Sequence, residues 1–328
     1  MDRPAWKTYA KRMIKAVVAM VVLFAVGRHV AKTWAEFQAR GESIQVRSGW
    51  LIAAGLLYLL GLAACGLFFA NVMNASNSPV SNLASVRAYL ISHLGKYVPG
   101  KALVVVMRVG LVVPYGARPA TAAIATFYET LVMMGAGAIV AVIGFALGSR
   151  PIQQLPLILS AGLALAFLAV VEPLIFPRIS KLLATPFPSV GADAQPRIDR
   201  PLLGKGLLLN AISWLFLGLS QVAVIRALST AGLTIELLAL VTASVALATV
   251  AGFVVAVLPG GLGVREWVLM TTLAPAVGED LAVLSALALR LTWVAAEVAA
   301  ALILGPLRPG IPEPATLASS PFVGVTEP

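Results

Sequence analysis

The stretch ISHLGKYVPGKALVVVMRVG, residues 91–110, decides the fold of this chain because it places a Pro-Gly break and several charges among apolar residues. A helix needs about 20 predominantly apolar residues to cross the hydrocarbon core of a bilayer. The helical pieces on either side of Pro99-Gly100, between Leu83 and Val113, are each shorter than this. Non-helical backbone is tolerated at membrane depth only where protein covers it or where it lines a wet cavity. The stretch therefore predicts a broken, re-entrant helical segment.

The rest of the chain has the composition of a membrane protein. Of its 328 residues, 59% are hydrophobic and 12% are charged, and the mean hydropathy is +0.93. Soluble domains carry roughly 25% charged residues. These properties predict an all-α polytopic membrane protein with six or seven transmembrane helices and two Pro-Gly-broken re-entrant segments. The predicted spans are a first helix with an apolar core at 16–27, followed by 49–71, 120–147, 155–176, 207–228, 235–257 and 281–304.

The positions of the basic residues predict the orientation of the chain. Lysines and arginines are concentrated before the first helix and in the loop 177–205, and cytoplasmic loops carry such an excess. We therefore expect a cytoplasmic amino terminus in the inner membrane of a bacterium. The net charge of +10 is scattered between apolar spans, which favours anionic lipid headgroups over nucleic acid as partners. Residues 1–305 are expected to form a single membrane domain, and the Pro- and Ser-rich tail 306–328 to be disordered.

A second Pro-Gly break lies in VLPGGLGVREWVLMTTLAP, residues 257–275. Interrupted segments at matching positions of two halves indicate a transporter-like binding site. The halves would be 10–176 and 201–305, related by an internal, inverted repeat, although a chance match of two breaks explains the pattern as well. The segment 258–275 is either re-entrant or spanning.

The two breaks predict an anion site. A helix that begins or ends at Pro-Gly leaves backbone N–H groups without helical partners, and these groups favour an anion together with the helix dipole and nearby cations. In a membrane the expected anion is a lipid phosphate. The alternative is that the basic side chains reach the membrane interface and anchor helix ends. The predicted site residues are Lys96, Gly100, Lys101, Arg108, Gly260, Gly261 and Arg265.

Four further charges fall within or beside apolar spans. Glu129, Arg290 and Glu297 lie inside predicted spans, where an ionisable side chain costs free energy unless it is paired or wet. We expect them to form an intramembrane network that gates or stabilises the cavity, with Glu129 reaching Arg290 if their spans adjoin. A buried ion pair that joins the two halves is the alternative. Glu266 is assigned to the same network, or else is the local partner of Arg265.

The motif GKYVPGK with an arginine seven residues later, the lone acid of the next span and the motif PGGLGVRE resemble the lysylphosphatidylglycerol synthase transmembrane, or flippase-like, family. The resemblance covers about residues 10–305 and adds Tyr97 to the headgroup site. It implies movement of a lipid across the bilayer. The larger members carry a soluble synthase domain, which this sequence lacks, so lipid aminoacylation by this chain alone is not expected.

The combined expectation is a lipid flippase or transporter that binds a phospholipid or polyprenyl-phosphate-linked headgroup. No nucleophile–base pair, metal cluster or Walker-type phosphate loop stands out, so neither enzymatic activity nor a cofactor is predicted. Two alternatives stay open: a lipid-modifying enzyme with His93 as base, and a scaffold that docks envelope glycosyltransferases. Expected partners are the lipid, a second copy of the chain, and a synthase or glycosyltransferase.

Overall fold

The computed structural model describes residues 46–98, 102–147, 154–184, 197–230, 232, 234–255 and 263–307, and the isolated positions 24, 28, 31 and 35. Within these ranges the chain is helical and contains no strand, and six helices are long and apolar enough to cross a membrane. The predicted all-α polytopic membrane architecture is confirmed. The predicted first helix, both Pro-Gly breaks and nearly all of the carboxyl-terminal tail lie outside the described residues.

The helices whose bounds lie within the described ranges follow one another along the chain. In chain order they are α1 (Ser48–Ala75), α2 (Asn82–Ser92), a 3-10 turn (His93–Tyr97), α3 (Ala102–Val112), a second 3-10 turn (Val113–Tyr115), α4 (Pro119–Ala146), α5 (Gln154–Val171), α6 (Phe176–Ala184), α7 (Arg200–Leu228), α8 (Ile235–Val254), α9 (Val264–Val277) and α10 (Glu279–Leu304). The six candidate spans are α1, α4, α5, α7, α8 and α10.

The ends of the spans lie close to their predicted positions, with one clear difference. Helix α7 begins at Arg200 instead of at residue 207, because Asp199 caps it: the Asp199 carboxylate accepts a hydrogen bond from the Leu202 amide at 2.8 Å. Pro201 occupies the first turn, where its missing N–H has no consequence. The basic residues at this end therefore belong to the helix and not to the preceding loop.

The short helices α2 and α3 contain most of the stretch 91–110 and the residues just before it. Each has 11 residues and is therefore about 16 Å long, roughly half the thickness of a hydrocarbon core of about 30 Å. They pack against each other, and α2 also packs against α1 and α10. Helix α9, with 14 residues, is likewise shorter than a span and packs against α8 and α10.

Helix α2 is also fixed to the end of α10 by a side chain. Arg87 donates hydrogen bonds of 2.8 Å to the backbone carbonyls of both Leu304 and Gly305. The last carbonyls of a helix have no helical partner, and an arginine both satisfies them and complements the negative end of the helix dipole. This contact joins residues more than 200 positions apart in the sequence.

Glycines allow the central spans to pack closely, as is common between membrane helices. The most extensive contact is between α1 and α7, where Gly206 lies directly against the ring of Phe68. Gly218, also on α7, lies against Thr242 of α8 so closely that a Cβ placed there would fall 2.9 Å from the Thr242 Cα atom. A backbone atom cannot move aside as a flexible side chain can.

We expect Gly218→Ala to destabilise the protein by about 1–3 kcal/mol, because the added methyl group forces α7 and α8 apart. Gly204→Ala on the same helix is the matched control, since a Cβ at Gly204 meets no atom within 4 Å. Thermal denaturation in detergent measures both. Equal midpoints for the two variants would contradict this close approach.

Candidate functional site

A cavity of about 400 Å³ lies between α2 with its following 3-10 turn, α3, α4, α8 and α9. Three basic side chains line it: Lys96 from the 3-10 turn, Arg108 from α3 and Arg265 from α9. The sequence predicted all three as headgroup ligands, and the fold brings them to one cavity although they come from opposite halves of the chain. Among the described residues, no acidic side chain lines it.

The remaining wall of the cavity is largely apolar. Val104 and Val105 of α3, Leu131 and Met134 of α4, and Phe253 of α8 contribute to it. Phe127 also lines the cavity, and its side chain is 57% exposed. The cavity therefore has a basic part and an apolar part.

Arg108 is held by a buried polar network. Its Nη1 lies 3.2 Å from Glu129 Oε2, and both side chains are almost completely buried, at 1% and 0% exposure. Arg108 Nε donates to the Ser92 hydroxyl at 3.1 Å, and the guanidinium lies 3.9 Å from the centre of the Tyr89 ring. The Tyr89 hydroxyl donates to the other carboxylate oxygen of Glu129 at 3.1 Å. Four side chains from α2, α3 and α4 thus hold one another in place.

Lys96 belongs to a second network. Its Nζ lies 2.5 Å from Glu297 Oε1 and 3.1 Å from the Tyr58 hydroxyl, which itself donates to Glu297. The Tyr58 ring stacks on Trp293 with ring centres 4.3 Å apart. The network connects α1, the 3-10 turn and α10. Within it, Glu297 pairs with Lys96.

His93 lies between the two networks. Its ring is 5.8 Å from the ring of Tyr89 and 6.4 Å from the ring of Tyr58, and it lines the cavity. These contacts place an imidazole against two aromatic rings. The described part of the chain offers no group of three or more His, Cys, Asp or Glu side chains that could hold a metal ion.

Arg265 differs from the other two cations because no described carboxylate pairs with it. Its Nη2 donates to the Thr249 hydroxyl at 2.6 Å, and its guanidinium lies 5.4 Å from the centre of the Trp293 ring. A hydroxyl and an aromatic face orient an arginine without neutralising its charge. Thr249 lines the cavity as well.

Glu266 and Arg290, both assigned from the sequence to one charge network, form an ion pair. Glu266 pairs with Arg290 of α10, and not with its neighbour Arg265. The second carboxylate oxygen of Glu266 accepts a hydrogen bond of 2.7 Å from the Gly263 amide at the start of α9. Glu129 pairs with Arg108 and not with Arg290, whose contact with Glu129 was expected only if their spans adjoin.

Several residues of the site were missed from the sequence, while others cannot be placed. The missed residues contact the charged side chains and are Tyr58, Tyr89, Thr249 and Trp293. Each is an isolated polar or aromatic residue in an apolar run, and the sequence contains no further pattern that indicates such a role. Tyr97, predicted through the resemblance, is buried, and it packs near Val294 of α10. The predicted ligands Gly100, Lys101, Gly260 and Gly261 lie outside the described residues.

Comparison of the chain with models of protein families and with curated proteins found no match to either.

Proposed function

We propose that the cavity binds the phosphate-bearing headgroup of a lipid, and that the chain is a flippase-like transporter of the kind its motifs resemble. The observation that carries the proposal is the convergence of Lys96, Arg108 and Arg265 on one cavity with an apolar wall. Cationic side chains form strong, charge-assisted hydrogen bonds with phosphate oxygens. The adjoining apolar surface suits the glycerol and acyl or polyprenyl portion of the same molecule.

The apolar wall of the cavity supports a lipid as the ligand. We propose that a headgroup enters beside Phe127, which lines the cavity and is 57% exposed, while its hydrocarbon chains stay in the bilayer. Small-molecule sites combine apolar walls with a few polar groups that fix orientation, and this cavity has that composition. The expected setting is the inner membrane of a bacterium, with a cytoplasmic amino terminus as the basic residues indicate.

Lipid movement in proteoliposomes tests the proposal. Fluorescent phosphatidylglycerol and a fluorescent polyprenyl phosphate serve as probes, and dithionite quenching reports the fraction in the outer leaflet over time. We expect the protein to accelerate exchange between leaflets, and Arg265→Gln to slow it by about tenfold or more, since a charge-assisted hydrogen bond contributes roughly 1.5–3 kcal/mol.

The matched control is Arg178→Gln, which removes an exposed positive charge away from the cavity. It should leave the exchange rate unchanged. Exchange of both probes at the rate of protein-free vesicles, or equal rates for wild type and Arg265→Gln, would sink the proposal.

A further inference from the structure

The charges that surround the cavity do not cancel. Of the three cations that line it, Arg108 is neutralised by Glu129 and Lys96 by Glu297. Arg265 keeps its charge, because the groups that contact it are the Thr249 hydroxyl and the Trp293 ring. Summed over these described side chains, three positive and two negative charges leave a net charge of +1 at the cavity.

An uncompensated charge is unfavourable to the extent that it is withdrawn from water, and Arg265 is half-buried. A ligand that brings the opposite charge removes this penalty. A phosphodiester carries one negative charge at neutral pH. A phosphate monoester carries about −1.5 to −2, because its second pKa is about 6. A zwitterionic headgroup sums to zero and leaves the arginine charge in place. Only the first of these neutralises the net charge of the described side chains at the cavity.

We infer that the site selects headgroups with one net negative charge, carried by a phosphodiester, and that Arg265 is the residue that sets this selectivity. The inference rests on the proposed function and narrows its substrate class. Phosphatidylglycerol and a polyprenyl phosphosugar fit it, whereas phosphatidylethanolamine, phosphatidic acid and pyrophosphate-linked lipids do not.

The geometry around Arg265 suits this role. A guanidinium has five N–H donors, and Thr249 occupies one of them among the described residues. The hydroxyl of Thr249 and the Trp293 ring fix the side chain at the cavity wall before a ligand arrives. An arginine held in this way can donate two parallel hydrogen bonds to the two free oxygens of a phosphodiester.

Native mass spectrometry of the full chain in detergent, incubated with equimolar phosphatidylglycerol, phosphatidylethanolamine, phosphatidic acid and cardiolipin, tests the inference. We expect the wild type to retain phosphatidylglycerol over each of the others by about tenfold, which corresponds to one charge-assisted contact. Arg265→Gln should bring the ratio of phosphatidylglycerol to phosphatidylethanolamine close to one, while Arg265→Lys, which keeps the charge but cannot donate the two parallel hydrogen bonds, should keep only part of the preference. Because Arg265 has no described acid partner, neither substitution leaves a buried carboxylate without its counter-charge.

The outcomes separate the inference from the proposed function. Two results would contradict selection by net charge but remain consistent with a lipid-binding site. One is retention of cardiolipin or phosphatidic acid above phosphatidylglycerol, and the other is an unchanged preference in Arg265→Gln. Retention of none of the lipids by the wild type would overturn both the inference and the proposed function. Water-soluble glycerophosphoglycerol is added as a competitor. If it displaces the lipid at equal concentration, the ligand is a free phosphodiester, and the lipid part of the inference falls.

Discussion

Replacing Arg108 with glutamine should cost about 3–5 kcal/mol of folding free energy, because it leaves the Glu129 carboxylate buried without its counter-charge. Neither side chain of this pair is accessible to water, at 1% and 0% exposure. The Tyr89 and Thr130 hydroxyls still reach the carboxylate, but neutral hydrogen bonds replace only part of the lost attraction.

The double variant Arg108→Gln/Glu129→Gln distinguishes a charge effect from simple loss of packing. It should recover most of the stability that either single variant loses, since it removes the buried charge altogether. Thermal denaturation of the purified proteins gives the three midpoints. Additive losses in the double variant would mean that the two side chains do not form the pair. Glu172→Gln is the control, since Glu172 pairs with Arg200, whose side chain is 77% exposed, and such pairs contribute about 0–1 kcal/mol.

Glu297→Gln should have two effects, one on stability and one on ligand preference. It removes the counter-charge of Lys96, whose side chain is only 16% exposed, and should destabilise the protein by roughly 3 kcal/mol. It also raises the net charge at the cavity from +1 to +2 on the count of described side chains. The preference should therefore move from phosphatidylglycerol toward lipids with two negative charges.

Native mass spectrometry with phosphatidylglycerol and cardiolipin measures this change, and we expect the ratio of cardiolipin to phosphatidylglycerol to rise by about tenfold. Glu172→Gln serves as the matched control, because it removes a carboxylate that pairs with Arg200 and does not line the cavity, and it should leave the preference unchanged. A preference that stays the same in the single variant would show that the summed charge does not govern selection.

The cations of the site could be predicted from the sequence because each breaks a strong local rule. Lys96 and Arg265 flank helix breaks. Arg108 lies in an apolar run, where a charged side chain costs free energy and usually has a functional role. The same argument selected Glu129 and Glu297. This argument needs only the type of a residue and the types of its neighbours along the chain, and the sequence gives both.

Their partners could not be predicted, because pairing depends on which helices lie side by side. The spans are apolar on all faces, so the sequence marks no face that turns inward. Glu129 therefore had no reason to favour Arg108 over Arg290. The approach of α7 to α8 at Gly218 was also invisible, since Gly204 on the same helix looks identical in sequence and meets nothing.

The short helix α2 and the turn that follows it are attached to α10 at two separated points. Arg87 holds the carboxyl end of α10, and Lys96 holds Glu297 about two turns before that end. A helix with one such contact can still rotate about it, whereas a second contact some distance away opposes that rotation. The two contacts restrict movement of this side of the cavity relative to α10. We therefore expect any widening that admits or releases a ligand to occur on the opposite side, where α3 and α4 face α8 and α9.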